Sequence, residues 1–220
     1  MTSTSALPTI VDRHLFFAFF AGDRPRSTDP ADLDGAVGSQ QFEVADTKPL
    51  NGTDPINFGA AVVYEISGPT DNFRDDFVQR SPVIPTTGIF VRPVSDPQIN
   101  SAAGELTSLD DRHLWLVFSR RPADGTEFDR WYDTEHIPDF LAAPGVIRAQ
   151  RFITDNVAPL PNTVAPDLGH LALYEIHGDP TAARNYVKDK LISGAMVLPD
   201  YMRQRFPAMF LRPVGQFQRS

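Results

Sequence analysis

Apolar residues in this chain gather in short blocks of strand length and change to helical spacing between them. In the second half, blocks at Arg112–Ser119, 146–153, His170–His177 and 208–214 read as strands. Helices are expected between the first two, over 124–141, and between the last two, from 180 to about 192. That order, β-α-β-β-α-β, is the ferredoxin-like unit. In the first half, 13–20, 40–44, 59–66 and 88–94 read as four more strands.

The stretch 127–147 carries the most information. Asp124 offers an N-cap, with Glu127 three residues later as in a capping box. Phe128, Tyr132, Glu135, His136 and Phe140 recur at spacings of three and four, so one helical face should carry them. Asp129, Arg130, Asp133 and Thr134 fall on the other face. Pro138 lacks an amide hydrogen and should end or kink the helix near Ile137. Pro144-Gly145 marks a turn, and Val146-Ile147 starts a strand. A carboxylate and an imidazole on the inward face are costly to bury unless they are paired or line a pocket.

The two halves repeat each other. Asp12-Arg13-His14-Leu15 returns 99 residues on as Asp111-Arg112-His113-Leu114. Phe58-Gly59-Ala60…Tyr64-Glu65-Ile66…Gly68 returns 110 residues on as Leu168-Gly169-His170…Tyr174-Glu175-Ile176…Gly178. Phe90-Val91-Arg92-Pro93-Val94 returns 120 residues on as Phe210-Leu211-Arg212-Pro213-Val214. Three matches in one order identify a duplication. The growing offset makes the first half shorter by 11 and then by 10 residues, on the two helical connections. In place of the long helix the first half has the loop-like run from Gly22 to Pro30, with at most a short helix at 31–36.

Composition narrows the picture. The 220 residues suffice for one large domain or two small ones, and 41% apolar content is enough for a core. There is no cysteine, hence no disulfide, thiolate metal site or cysteine nucleophile. A net charge of −8 argues against nucleic acid and anionic membrane surfaces. The apolar run 15–21 is too short to span a bilayer and no basic region precedes it, so it is expected to be a buried strand and the protein cytoplasmic. No phosphate loop, dinucleotide fingerprint or Gly-x-Ser-x-Gly elbow is present.

The pattern Phe128…Trp131-Tyr132…His136-Ile137-Pro138…Pro144-Gly145 resembles the first-helix signature of EthD-like proteins, in the dimeric α+β barrel superfamily of ferredoxin-like domains. The resemblance covers 111–214 well and 12–94 more weakly. It implies that each half's sheet is covered on one face by helices and on the other by a second sheet. A tandem chain would supply that second sheet itself. The expected fold is therefore α+β, with two ferredoxin-like halves forming an intrachain dimeric α+β barrel. Residues 1–105 would be a degenerate half with its sheet kept and its helices trimmed, and 106–220 the complete half with the signature helix.

His136, the only histidine on that helix, is the leading acid or base, against the alternative of a helix-terminal histidine favourable to the dipole. Tyr132, one turn earlier, would orient a substrate or simply pack on the sheet, and Glu135 is a partner for the imidazole. Phe128, Trp131, Asp139, His170, Tyr174 and His177 complete the candidate substrate-binding set. His170 and Tyr174 share one strand face, and Glu175 and His177 the other, with the helix-facing side left open. Residues present in both halves (His14 and His113, Glu65 and Glu175, Arg92 and Arg212) are better explained by architecture, including a buried Glu–Arg network inside the barrel. Asp133 and His136 could ligate a metal at i, i+3 spacing, but no third ligand is near in sequence.

The resemblance implies a cofactor-independent enzyme doing acid/base chemistry (isomerisation, cyclisation, dehydration, decarboxylation or C–C lysis) on a small aromatic or polyketide-like molecule. A cofactor-free or haem-dependent oxidoreductase and a non-catalytic binding or scaffold module are the alternatives. A small-molecule substrate is the expected partner, and an exposed outer strand would pair two chains into a homodimer of pseudo-dimers.

Overall fold

The structure, a computed structural model, describes residues 13–22, 30–46, 58–102, 112–163, 169–202, 208–214 and 216–220. Asp12, Asp111, Leu168 and most of the Gly22-to-Pro30 run lie outside them. The first half contributes β1 (His14–Phe20), β2 (Ala36–Asp46), β3 (Ala60–Ile66), α1 (Thr70–Arg80) and β4 (Thr87–Pro93). A two-residue strand, β5 (Gln98–Ile99), follows. The second half contributes β6 (Arg112–Ser119), α2 (Thr126–Trp131), α3 (Ile137–Leu141), β7 (Val146–Thr154), β8 (His170–His177), α4 (Pro180–Ser193), β9 (Ala208–Pro213) and β10 (Gln218–Arg219).

The strands close into an eight-stranded antiparallel barrel in the order β2-β3-β1-β4-β7-β8-β6-β9, with β9 returning to β2. The expected intrachain dimeric α+β barrel is what the chain forms. Each seam joins the last strand of one half to the second strand of the other. At one seam Pro93 faces Phe152, and at the other Pro213 faces Phe42, the same two positions of the repeat. The short strands obey the same symmetry. β5 places Gln98 opposite Ala149, and β10 places Gln218 opposite Ser39. Two residues cannot show alternation, so sequence reading missed both.

The repeat extends to irregular features. β2 and β7 each carry a bulge near their start, between Ala36 and Gly38 and between Val146 and Arg148. The bulge breaks alternation, which is why β2 was expected only over 40–44. Just before each bulge sits a glycine with positive φ, Gly35 at 75° and Gly145 at 78°. A Cβ on Gly145 would lie 2.6 Å from the His177 carbonyl, so only glycine allows this approach.

Alternation along the strands divides the core in three. Inside the barrel, Phe17, Phe19, Phe42, Leu114, Leu116, Phe118 and Phe152 interdigitate. Outside, on the first half, α1 lays Phe73 and Phe77 against Phe16 and Tyr64. This helix has 11 residues against 14 in α4, so the second helical connection keeps its helix. The first connection is cut to a single short turn at Pro30–Asp32 among the described residues. The sheet face it leaves is covered by Leu33 and by Leu160, which reaches over from the β7–β8 connection. Leu160 sits against Gly88, where a Cβ would come within 2.9 Å of it. Outside, on the second half, α2, α3 and α4 cover the sheet through Phe128, Ile137, Phe140, Ala183 and Val187.

The anticipated Glu–Arg network is present, with different arginines. Glu65 binds Arg13 at 2.8 Å, and Glu175 binds Arg148 at 2.5 Å and Arg112 at 3.4 Å. Arg112 also donates to Gln40 of the other half. Arg92 and Arg212 are not members. Arg212 pairs with Glu43 across one seam, while Arg92 faces Ile153 at the other and is exposed. His14 links the halves through Asp155, at 2.8 Å, which also accepts from Thr70. Closure leaves only β5 and β10 with open edges among the described residues, so an outer strand for pairing two chains is short. Among those residues no helix is long and apolar enough to cross a membrane.

Truncating one partner of a buried ion pair strands the other charge, at a cost of about 3–5 kcal/mol. Glu175→Ala, which strands Arg112 and Arg148, should lower the urea-unfolding free energy by about that much. Glu65→Ala should cost clearly less, because Arg13 is 29% exposed and can return to water. Equal losses would contradict this assignment.

Candidate functional site

The signature helix begins at Thr126, whose amide donates to Asp124 Oδ1 at 3.2 Å. It does not stop at Ile137. Between α2 and α3 lies a π turn, Tyr132–His136, and the chain stays helical through Pro138 to Leu141. A π turn is wider by one residue, and such turns are frequent at functional sites. Here it also absorbs the proline. In this register the Asp133 carbonyl would look for the amide of residue 138, which proline lacks, and it accepts instead from Gln98 Nε2 at 3.1 Å.

The extra residue shifts the phase of the buried face. Up to the first residue of the turn the buried residues are Phe128, Trp131 and Tyr132, and from its last residue onward His136, Ile137 and Phe140. Glu135, expected to point inward, is therefore on the surface, paired with Arg130 at 3.1 Å. Asp139 is exposed as well. Asp133 was expected to face solvent but reaches down to the sheet. It holds the guanidinium of Arg151 on β7 through two bonds, at 2.8 and 2.7 Å, and Asp129 takes a third at 2.7 Å. Asp129 also accepts from Arg121, and that bond, followed by Arg151's, holds its carboxyl below the usual range. Arg151 thus ties both sides of the π turn to the sheet. Sequence reading missed it, although alternation on β7 puts it on the helix side beneath two aspartates four residues apart.

Four ring systems of the candidate set meet around Tyr132. The His136 ring stacks on Trp131 with centroids 4.4 Å apart and meets Tyr132 edge-on at 5.1 Å. On the far side of Tyr132, at 4.7 Å, is His170, which also meets Phe128 at 4.8 Å. β8 therefore turns His170 and Tyr174 toward the helix and Glu175 into the barrel. His177 is exposed at the strand end and is not part of this cluster, because it has the opposite parity.

Burial holds His136 down to about 3, and burial followed by the Arg151 charge does the same to His170. Both imidazoles are neutral. Burial raises the Tyr174 phenol. His170 Nδ1 shares a hydrogen bond with Ser119 Oγ at 2.9 Å. His136 Nδ1, His170 Nε2, Tyr174 Oη and Trp115 Nε1 are buried without a hydrogen-bond partner among the described residues. Each such atom costs roughly 1–3 kcal/mol. Stability alone does not explain four of them in one place.

The duplication supplies a control. Ser119 pairs with His170 in register, and the equivalent pair in the first half is Phe20 with Ala60. Trp115 corresponds to Phe16 and Arg151 to Gln41. Tyr174 alone of these is kept, as Tyr64. The same sheet is built in the first half without either histidine, so the barrel does not require them.

A groove of about 330 Å³ opens along the outer side of the π turn. Trp131, His136 and Met196 line it together with Thr134, Glu135, Pro138, Asp139, Ala195 and Val197. This is at the lower end of the range for small-molecule sites. His136, only 5% exposed, is the one side chain shared by the groove and the buried ring cluster that has an unpartnered polar atom. Among the described residues no group of three His, Asp or Glu is placed to hold a metal ion. A haem needs a histidine nitrogen facing a slot for the macrocycle. His170 is fully buried and His136 is stacked on Trp131 at 4.4 Å and packed by Phe140 at 4.7 Å, so neither fits that need.

The fold is similar to that of an anthrone oxidase-like protein, with a TM-score of 0.56, 12% identity, and coverage of 94% of this chain and 93% of that one. It is also similar to a candidate monooxygenase from Fusobacterium nucleatum, with a TM-score of 0.51, 10% identity, and coverage of 96% and 95%. At these identities the likeness is one of fold, the dimeric α+β barrel. No protein-family model and no curated protein matches the sequence.

A histidine titrates near 6.5 in the unfolded chain, so between about 6.5 and 3 the unfolded state takes up protons that the buried imidazoles refuse. Their contribution to stability is complete above pH 6.5 and is lost as pH falls toward 3. Ser119→Phe with His170→Ala copies the first half and should fold. In urea unfolding at pH 6 and 4.5 it should lose less stability on acidification than the parent, by up to about 1.4 kcal/mol per pH unit. An unfolded variant would show that the pair is structural, and an unchanged pH slope would contradict the burial of His170 as a neutral imidazole.

Proposed function

We propose that this chain is a cofactor-independent enzyme of EthD-like type. On this reading it binds a small hydroxylated aromatic or polyketide-like molecule in the groove and removes a proton from it with His136. The observation that carries the reading is His136 itself: a neutral, buried imidazole with an unpartnered nitrogen, at a π turn, lining a groove, and without a counterpart histidine in the sequence of the first half's shorter connection.

A neutral imidazole is a competent proton acceptor at physiological pH, but burial makes it a weak one while it is alone. A substrate changes that balance. As a proton leaves an acidic carbon beside a carbonyl, the electron pair moves into the carbonyl or ring and a negative charge develops next to His136. That charge stabilises the imidazolium and raises its pKa. The same burial then favours return of the proton at a second position, which suits isomerisation, cyclisation or elimination. Trp131 and Tyr132 hold the imidazole by its face and edge, and Arg151 fixes the π turn on which it rides. Tyr132 and the aromatic wall serve orientation in this scheme. Glu135, on the rim, is left with substrate contact in place of proton transfer.

The anthrone oxidase-like neighbour favours a second reading. The same substrate anion can give its electrons to dioxygen, so that a CH2 group becomes a carbonyl and water is released. The two readings share the deprotonation and differ in the electron acceptor.

Anthrones, naphthoquinols and aromatic lactones should be offered to the purified protein while absorbance and dissolved oxygen are followed. Turnover is expected, and His136→Gln should lower it at least about 100-fold with the unfolding curve retained. Oxygen uptake separates the second reading from the first. Because His136 is neutral at every pH well above 3, the rate should show no acid limb near 6.5. Full activity in His136→Gln would contradict the assignment.

A further inference from the structure

The groove that the proposed function uses also has a charge character, and it says which end of a ligand belongs there. Its walls are the Trp131 indole, Met196 and Val197, so the body of the ligand is apolar and flat. The polar groups around them mostly accept hydrogen bonds. Asp139 lies one helical turn beyond His136, and among the described residues its carboxylate has no ion-pair or hydrogen-bond partner. Glu135 is also a carboxylate, tied to Arg130 in a surface pair in which both side chains are more than half exposed. The Thr134 hydroxyl gives its proton to the Arg130 carbonyl, leaving its lone pairs outward. Among the described residues lining the groove there is no lysine or arginine. His136, more than nine-tenths buried with Nδ1 unpartnered, is the second mark of a ligand site here.

Resting on the reading of this groove as the substrate site, we propose that it takes aromatic molecules whose far end donates a hydrogen bond, a phenolic hydroxyl above all, and turns away carboxylates. Asp139 is the selecting group. One turn separates it from His136, so a ring can present an acidic position to the imidazole while its hydroxyl donates to Asp139. A ligand carboxylate in that place meets a like charge, and among the described residues the guanidinium at the rim, Arg130, is already held by Glu135. In a partly solvated groove this repulsion is worth roughly a factor of ten in affinity.

Three bicyclic probes of one shape and different charge test this: 2-naphthol, 2-naphthoate and (2-naphthyl)methylammonium. Each is titrated at pH 7 into isotope-labelled protein, following the Trp131 indole and His136 ring signals. The naphthol and the ammonium should bind at least tenfold more tightly than the naphthoate. Asp139→Asn should bring the naphthoate within about threefold of the naphthol and weaken the ammonium. Asp139 is exposed, so this variant should fold; raising salt on the unaltered protein should narrow the same differences. Naphthoate binding as tightly as naphthol, or a ranking indifferent to both Asp139→Asn and salt, would overturn the selection rule and leave the proposed site standing. If none of the probes moves either signal, the groove is not a ligand site, and the proposed function falls with the rule.

Discussion

The structure depends on one constraint: a ferredoxin-like sheet has two apolar faces and only one set of helices. The inner faces of these two sheets find each other inside one chain. The two seams close the barrel by the same contact, a proline from one half against a phenylalanine from the other. Closure buries the inner face of every strand and removes the long sheet edges that would otherwise invite aggregation. The charged groups placed inside the barrel are then tolerable because they meet their partners there, Glu65 with Arg13 and Glu175 with Arg112 and Arg148.

Once closure is secured by strands, the helices on the outer faces are less constrained. The first half has reduced one of its helical connections, and a leucine from the other half covers the exposed sheet. The second half keeps its long helix and gives it a wider turn, held to β7 by Arg151. Its face of the sheet carries Trp115, Ser119 and His170 where the first half has Phe16, Phe20 and Ala60. The scaffold and the candidate site are thus separable within one chain, because the same sheet exists with and without the polar residues.

The barrel was legible in the sequence because duplication repeats its strands in order, and offsets of 99, 110 and 120 located the shortened connections. His136 and Tyr132 were legible on one helix face and His170 and Tyr174 on one strand face, but periodicity alone did not say which face of β8 meets the helix. Glu135 was not placed correctly, since period counting assumes a regular α-helix and the π turn at 132–136 adds a residue. Arg151 escaped notice for a related reason: its partners Asp129 and Asp133 were assigned to a solvent face by the same count. Arg148 joined the barrel network from beyond a bulge, which likewise breaks the simple alternation. β5 and β10 are set by backbone pairing alone and leave no side-chain pattern.

The central claim is that one half is scaffold and the other carries a ligand site over His136. A crystal structure with an aromatic ligand bound tests it most directly. The account predicts ligand density between Trp131, His136 and residues 195–197, with the barrel interior unchanged. Density inside the barrel, or against the first half's α1 face, would contradict it.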